Sequence, residues 1–210
     1  MASQIGQDDF VIKTLKEKRN GTFVDIGCFH PTDINNTFIL ERDYNWTGIN
    51  IDLFTENEFD DSNEAFSNWP ILRPDSVVIK ADALTIDYSS IFKGHKLPKT
   101  IDYLSIDLEP PTVTFDVFKL LPLNEYKFNI ITYEHDGYRM GQKFIAETRK
   151  YITSFDYVLF ETVNDQDDYY VHLTTLRGVL APEFFLNPPN NGSGSETSVR
   201  AGNEYRKFRT

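Results

Sequence analysis

Cysteine occurs once in this 210-residue chain, at Cys28. No internal disulfide is possible, and with no His/Cys clustering there is neither a zinc-ligand pattern nor a thiol nucleophile to argue for. A reducing, intracellular (cytoplasmic) compartment is the expectation. Cationic side chains are scarce: 21 Lys and Arg stand against 32 Asp and Glu, for a net charge of -11. Such a surface repels phosphate backbones and anionic lipid, which argues against nucleic acid as a substrate. No apolar run is long enough to span a bilayer, and residues 1–10 are too polar for a signal peptide, so membrane insertion is not expected. Glycosylation patterns at Asn35, Asn45 and Asn191 then read as chance matches. The glycine fingerprints are missing too. There is no G-x-G-x-x-G to seat a pyrophosphate and no G-x-x-x-x-G-K, and no internal repeat is visible.

What is present suffices for a folded domain. With 40% hydrophobic and 14% aromatic residues the chain can bury a sizeable core. Ser3 can cap a helix over 4–18, which Asn20-Gly21 would end. Short apolar runs follow at 22–27, 47–52, 76–82, 101–107, 127–134, 155–161 and 168–174. Helix-like or polar segments at 35–43, 56–68, 112–121 and 139–154 separate most of them. This alternation predicts a mostly parallel sheet with helices on both faces. Only residues 162–167 join the last two strands, too few for a crossover helix, so that pair is predicted to be an antiparallel hairpin. The expectation is a seven-stranded α/β sheet with one reversed strand over 1–186. Residues 187–199 (NPPNNGSGSETSV) are rich in Pro, Gly, Asn and Ser, so 187–210 reads as a flexible tail or loosely packed extension.

Acids recur at the strand ends: Asp25, Asp52, Asp82, Asp107 and Glu134 close the first five in turn. Singly, each would read as a helix cap or a solvated loop residue. In open α/β sheets, however, ligands bind beyond the carboxyl ends of the strands, so the five together point to a site. An acid ending the second strand suits ribose hydroxyls, and Asp82 can accept from an adenine amino group. The stretch TFVDIGCFHP (22–31) offers one glycine, enough for close backbone approach and too few for a diphosphate cradle. Adenosine without phosphates points to S-adenosylmethionine.

The run SQIGQDDFVIKTL…NGTFVDIGCFHPTDINNTFILERDYNWTGINID resembles the opening of FkbM-type S-adenosylmethionine-dependent methyltransferases. IDYLSIDLE (101–109) is similar to that family's D-x-L-S-[IL]-D-x-E-G, and ITYEHDGY (131–138) to its [IV]-x-x-E-H segment. DQDDYYVHL (165–173) resembles its last hairpin. The chain departs from the pattern at Pro31, where many relatives carry a second glycine, and at Pro110-Pro111, where a glycine is usual. The resemblance covers residues 3–174 and implies a Rossmann-like class I methyltransferase domain. The chain also resembles methyltransferase domains of multidomain glycan-building proteins of chloroviruses, which implies that it is part of a larger chain.

The resemblance implies an O-methyltransferase acting on a carbohydrate hydroxyl, a deoxyhexose such as rhamnose in a glycan first among them. A non-sugar hydroxyl or amine, or a non-catalytic adenosine-binding module, are the alternatives. Asp25 and Gly27 are candidates for the cofactor's amino-acid end, Asp52 for its ribose and Asp82 for its adenine. Cys28 is a small filler beside them, and His30 with Pro31 a lid or a plain loop. Asn36 and Thr37 open a helix and fix the loop over the cofactor. Trp46 reads as core. A sugar hydroxyl must lose its proton to be methylated, and His135, with an ordinary pKa near ~6.5, suits that task. Asp107 and Glu109 are the competing bases or the residues that orient His135. Asp107, Glu134 and Asp136 are compatible with Mg²⁺ or another divalent ion, as in related sugar methyltransferases. Glu134-His135-Asp136 also reads as a mere polar turn.

Overall fold

β-branched and aromatic side chains, which fit a pleated surface, dominate the seven apolar stretches, and each forms a strand in the computed structural model, which describes residues 3–54 and 62–179. The elements run α1 (Gln7–Thr14), β1 (Thr22–Ile26), α2 (Phe38–Tyr44), β2 (Thr47–Asp52), α3 (Ser62–Leu72), β3 (Ser76–Lys80) and α4 (Tyr88–Gly94). They continue with β4 (Thr100–Ile106), α5 (Pro111–Leu120), β5 (Lys127–Glu134), α6 (Gly137–Met140), α7 (Gln142–Thr153), β6 (Tyr157–Val163), β7 (Asp167–His172) and α8 (Leu173–Val179). The strands make one seven-stranded sheet in the order β3-β2-β1-β4-β5-β7-β6. β1 pairs in parallel with both β2 and β4, whereas β7 runs antiparallel to β5 and β6. The order reverses between β1 and β4, the kind of topological switch point at which open α/β sheets form a ligand crevice.

The chain divides into two compact units, Met1–Phe128 and Asn129–Thr210. In the first, Phe23, Val24 and Ile26 of β1 and Ile51 of β2 are fully buried, as expected of parallel strands covered on both faces. Trp46 lies in this core, its indole N–H donating to the Lys18 carbonyl at 2.7 Å. Gly21 lies against the ring, where a Cβ would come within 2.4 Å. In the second unit, Asn164 and Asp165 both take positive φ, and the Gln166 amide bonds the Val163 carbonyl at 3.0 Å. That is the type I′ turn whose twist suits a tight hairpin, and Asn and Asp tolerate it best among non-glycine residues.

Three expectations change. The first helix starts at Gln7, not at residue 4, because Ser3 turns its hydroxyl onto the Asp8 carboxylate and Gly6 takes φ 94. It stops at Thr14 because Lys16 and Glu17 adopt positive φ. The segment 139–154 is split into α6 and α7 by Gly141 at φ 78. α4, not anticipated, is short and capped by Asp87, which accepts from the Ser90 amide at 3.1 Å. Part of the acidic 56–68 segment and the whole of 187–210 lie outside the described residues.

A buried charge cluster organises the second unit. The Asp168 carboxylate takes two bonds from Arg149, at 2.7 and 2.8 Å, and one each from Thr162 and Tyr170. Burial pushes its pKa up, but His135 and Arg149 outweigh that and hold it down at about 2. A carboxyl lower in the folded than in the unfolded chain stabilises the fold above pH ~4 and loses that contribution as pH falls toward 2. Arg149→Met should therefore cost about 2–3 kcal/mol at neutral pH, less than for a fully buried pair because the arginine side chain is 31% exposed. Urea denaturation at pH 7 and pH 3 checks this: the gap between variant and wild type should narrow at the lower pH.

Candidate functional site

The ends of β1, β2, β3 and β4 surround a cavity of about 460 Å³ in the first unit, within the ~300–1,000 Å³ of small-molecule sites. β1 and the loop after it supply Asp25, Gly27, Cys28, Phe29, Ile34 and Asn36. The end of β2 supplies Asp52 and the turn after it Leu53, and the turn after β3 supplies Asp82 and Ala83. Asp107, Leu108 and Glu109 come from the end of β4, and Val113 from α5. Gly27 makes the convergence possible. It takes φ 83, and a Cβ there would lie 1.7 Å from the Asp107 carbonyl oxygen. Only glycine allows strand ends to meet this closely.

Asp52 and Asp82 are held in the same manner. Asp52 Oδ1 accepts from the Phe54 amide and Oδ2 from the Phe29 amide, both at 2.9 Å. Asp82 Oδ1 accepts from the Leu84 amide at 2.9 Å. Each is an Asx turn that ends its strand and fixes the carboxylate, which keeps further lone pairs for a ligand. Asn36 lines the cavity and donates to Ser105 at 2.9 Å. Thr37 lies behind it and donates to Asp25 at 2.9 Å. Burial pushes the Asp25 carboxyl up to about 6 against the lowering pull of the Thr37 hydroxyl, the Arg73 charge and Ser105, with Asp52 adding a small upward push.

Other expected residues have different surroundings. His30 does not line the cavity. Its Nδ1 accepts from the backbone amides of Thr32 and Asp33, at 3.2 and 3.0 Å, so the ring caps a turn. Cys28 is 3% exposed, and burial followed by the charges of Asp25 and Asp52 raises its thiol well above the usual range, which leaves it an inert filler. In the second unit His135 is fully buried, its Nε2 3.2 Å from Asp168 Oδ1 but out of line for a hydrogen bond. Glu134 Oε1 accepts from Gln166 at 3.2 Å, and Asp136 Oδ2 is paired with Arg139 at 2.6 Å. Among the described residues no group of three or more His, Cys, Asp or Glu is arranged to hold a metal ion.

The apolar wall escaped the sequence reading. Phe29, Ile34 and Leu53 are 49%, 58% and 49% exposed at the cavity. Phe29 and Ile34 sit at φ 50 and 51, costly for a branched side chain such as Ile34, and strain of this kind concentrates at ligand sites. A signal was available. Three strand ends repeat an acid followed by an apolar residue, in Asp52-Leu53, Asp82-Ala83 and Asp107-Leu108.

Known structures of similar fold include a protein from Clostridium thermocellum described as an rRNA methylase, at TM-score 0.51 and 14% identity over 82% of this chain and 96% of that one. The O-methyltransferase NovP matches at TM-score 0.51 and 12% identity, over 80% and 78%. The methyltransferase domain of METTL16 matches at TM-score 0.51 and 10% identity over 77% of this chain, which spans 64% of that domain. No protein-family model matches the chain, and no curated protein matches it. At these identities the likeness establishes the fold alone, a Rossmann-like α/β fold that these methyltransferases share.

Because Asp25 is protonated more readily folded than unfolded, keeping it ionised costs stability, and the cost grows as pH rises from ~4 through ~6. Asp25→Asn should stabilise the ligand-free protein by up to about 3 kcal/mol at pH 8 and by nothing at pH 4. Denaturant unfolding at the two pH values measures the difference.

Proposed function

We propose that this chain is an S-adenosylmethionine-dependent O-methyltransferase acting on a carbohydrate hydroxyl. The observation that carries the reading is the cavity lining: five carboxylates, from Asp25, Asp52, Asp82, Asp107 and Glu109, with no Lys, Arg or His among the described lining residues. That lining suits a ligand with an adenosine and positive charges, and it would repel a dinucleotide's phosphates. The cofactor supplies an electrophilic methyl group on a sulfonium centre. Asp52 would accept from the ribose hydroxyls and Asp82 from the adenine amino group, with Leu53 and Ala83 against its faces. Asp25 and the Gly27 backbone would face the ammonium end.

The acceptor class follows from the FkbM-like motifs, and a fold shared with an O-methyltransferase agrees with it. An rRNA methylase shares the fold as well, but a net charge of -11 disfavours an RNA acceptor. An acceptor hydroxyl must meet a base. Asp107 and Glu109 line the cavity, whereas the His135 ring is buried beside Asp168. This exposure supports a carboxylate as the proton acceptor, with His135 as the competing assignment.

Incubation with methyl-labelled cofactor and a panel of glycans, RNA and small hydroxyls or amines, read by mass spectrometry, tests the proposal. A labelled methyl on a sugar hydroxyl is expected. A label confined to RNA or to an amine overturns the acceptor, and no cofactor binding overturns the whole reading. Asp52→Ala should weaken S-adenosylhomocysteine binding by about 1.5–3 kcal/mol with the fold intact. Glu109→Gln or Asp107→Asn should slow transfer about 10²–10⁴-fold, while His135→Gln retains its rate; the opposite result returns the base to His135.

A further inference from the structure

We infer that Arg73 is a positioning residue of the cofactor pocket, its buried guanidinium fixing the 28–37 loop through Pro31, Asn35 and Thr37. The inference rests on the reading of that pocket as the S-adenosylmethionine site. Arg73 follows α3 and is fully buried, and it is absent from the cavity lining. Its Nε donates to Glu41 of α2 at 2.6 Å. Its Nη1 donates to the Pro31 carbonyl and to Asn35 Oδ1, both at 3.0 Å, and its Nη2 to Thr37 Oγ1 at 3.1 Å. The guanidinium carbon lies 5.4 Å from the Trp69 ring centre and 5.7 Å from that of Phe23.

Two of the three loop contacts lead on to the pocket wall. Asn35 carries the tie onward, donating to the carbonyls of Cys28 and His30 at 3.1 and 2.9 Å. Thr37 carries it to Asp25. Between those anchors lie Phe29, Ile34 and Asn36, which face the cavity. The loop has no regular secondary structure between β1 and α2, and two of its cavity residues are at positive φ, so its shape must be imposed from outside. A planar fork can reach acceptors in several fixed directions at once, which a lysine ammonium cannot. A buried Arg–Glu pair is also a poor way to stabilise a core, since apolar residues of equal volume do as well or better. Loop placement accounts for the arginine where core packing does not.

The test compares Arg73→Lys, which keeps the charge and loses the fork, with the paired change Arg73→Met/Glu41→Leu, which leaves no orphaned carboxylate. Calorimetry with S-adenosylhomocysteine and amide hydrogen exchange are read on the full chain. Both variants should bind at least about tenfold more weakly than wild type. Amides of residues 28–37 should exchange faster while those of β1 and β4 keep their protection. In turnover the KM for S-adenosylmethionine should rise with kcat kept, because the fork touches no reacting atom. A wild type that fails to bind overturns the pocket reading and this inference with it. A wild type that binds, with either variant within twofold of it or with loop exchange unchanged, overturns the positioning role alone. Loss of fold in both variants assigns Arg73 to the core and overturns it too.

Discussion

At the end of β1 the backbone of Gly27 passes against the carbonyl of Asp107, closer than any side chain would permit. Two hydrogen bonds fix the contact: the Gly27 amide to the Ile51 carbonyl at 2.8 Å and the Asp107 amide to the Ile26 carbonyl at 3.0 Å. These bonds extend the parallel ladders by one residue past β1 and β4, so Asp52 and Asp107, the last acids of the two strands flanking β1, come level with Gly27, with Asp25 two residues before it. The cavity and the crowding of its acids follow from this approach, and so does the need for an exterior tie on the loop that leaves it.

Crowding has an energetic consequence. Asp25 is kept in a buried place where its charge is costly, partly offset by Thr37, Ser105 and Arg73. A core needing only stability would place an amide or an apolar residue there. A carboxylate kept where its charge is unfavourable is the kind of stability sacrifice found at functional sites. The strained Phe29 and Ile34 belong to the same account, since backbone strain of this kind persists only where the surrounding structure holds it and it clusters at functional sites.

Much of this was legible in the sequence, for identifiable reasons. The strands were, because β-branched runs ending in acids recur at regular spacing, and the hairpin was, because six residues cannot hold a helix. The acids at Asp25, Asp52, Asp82 and Asp107 share a cavity because topology, not chemistry, brings parallel strand ends together. His30 is harder to read: a histidine before a proline looks like a lid, and only in the folded chain is its ring seen to accept from two backbone amides. Arg73 left no trace. Its partners lie 32 to 42 residues away, and a single arginine after an apolar stretch resembles any surface charge. Positive φ at a β-branched Ile34 runs against local propensity, and is visible only in the folded chain.

The most direct test of the central claim, that these four strand ends seat S-adenosylmethionine, is amide hydrogen exchange of the wild type with and without that molecule. The account predicts protection gathered at residues 27–37, 52–54, 82–84 and 107–109, where the Phe29, Phe54 and Leu84 amides already bond the cavity acids. Protection absent from all four segments at saturating cofactor, or gathered elsewhere in the chain, would contradict it.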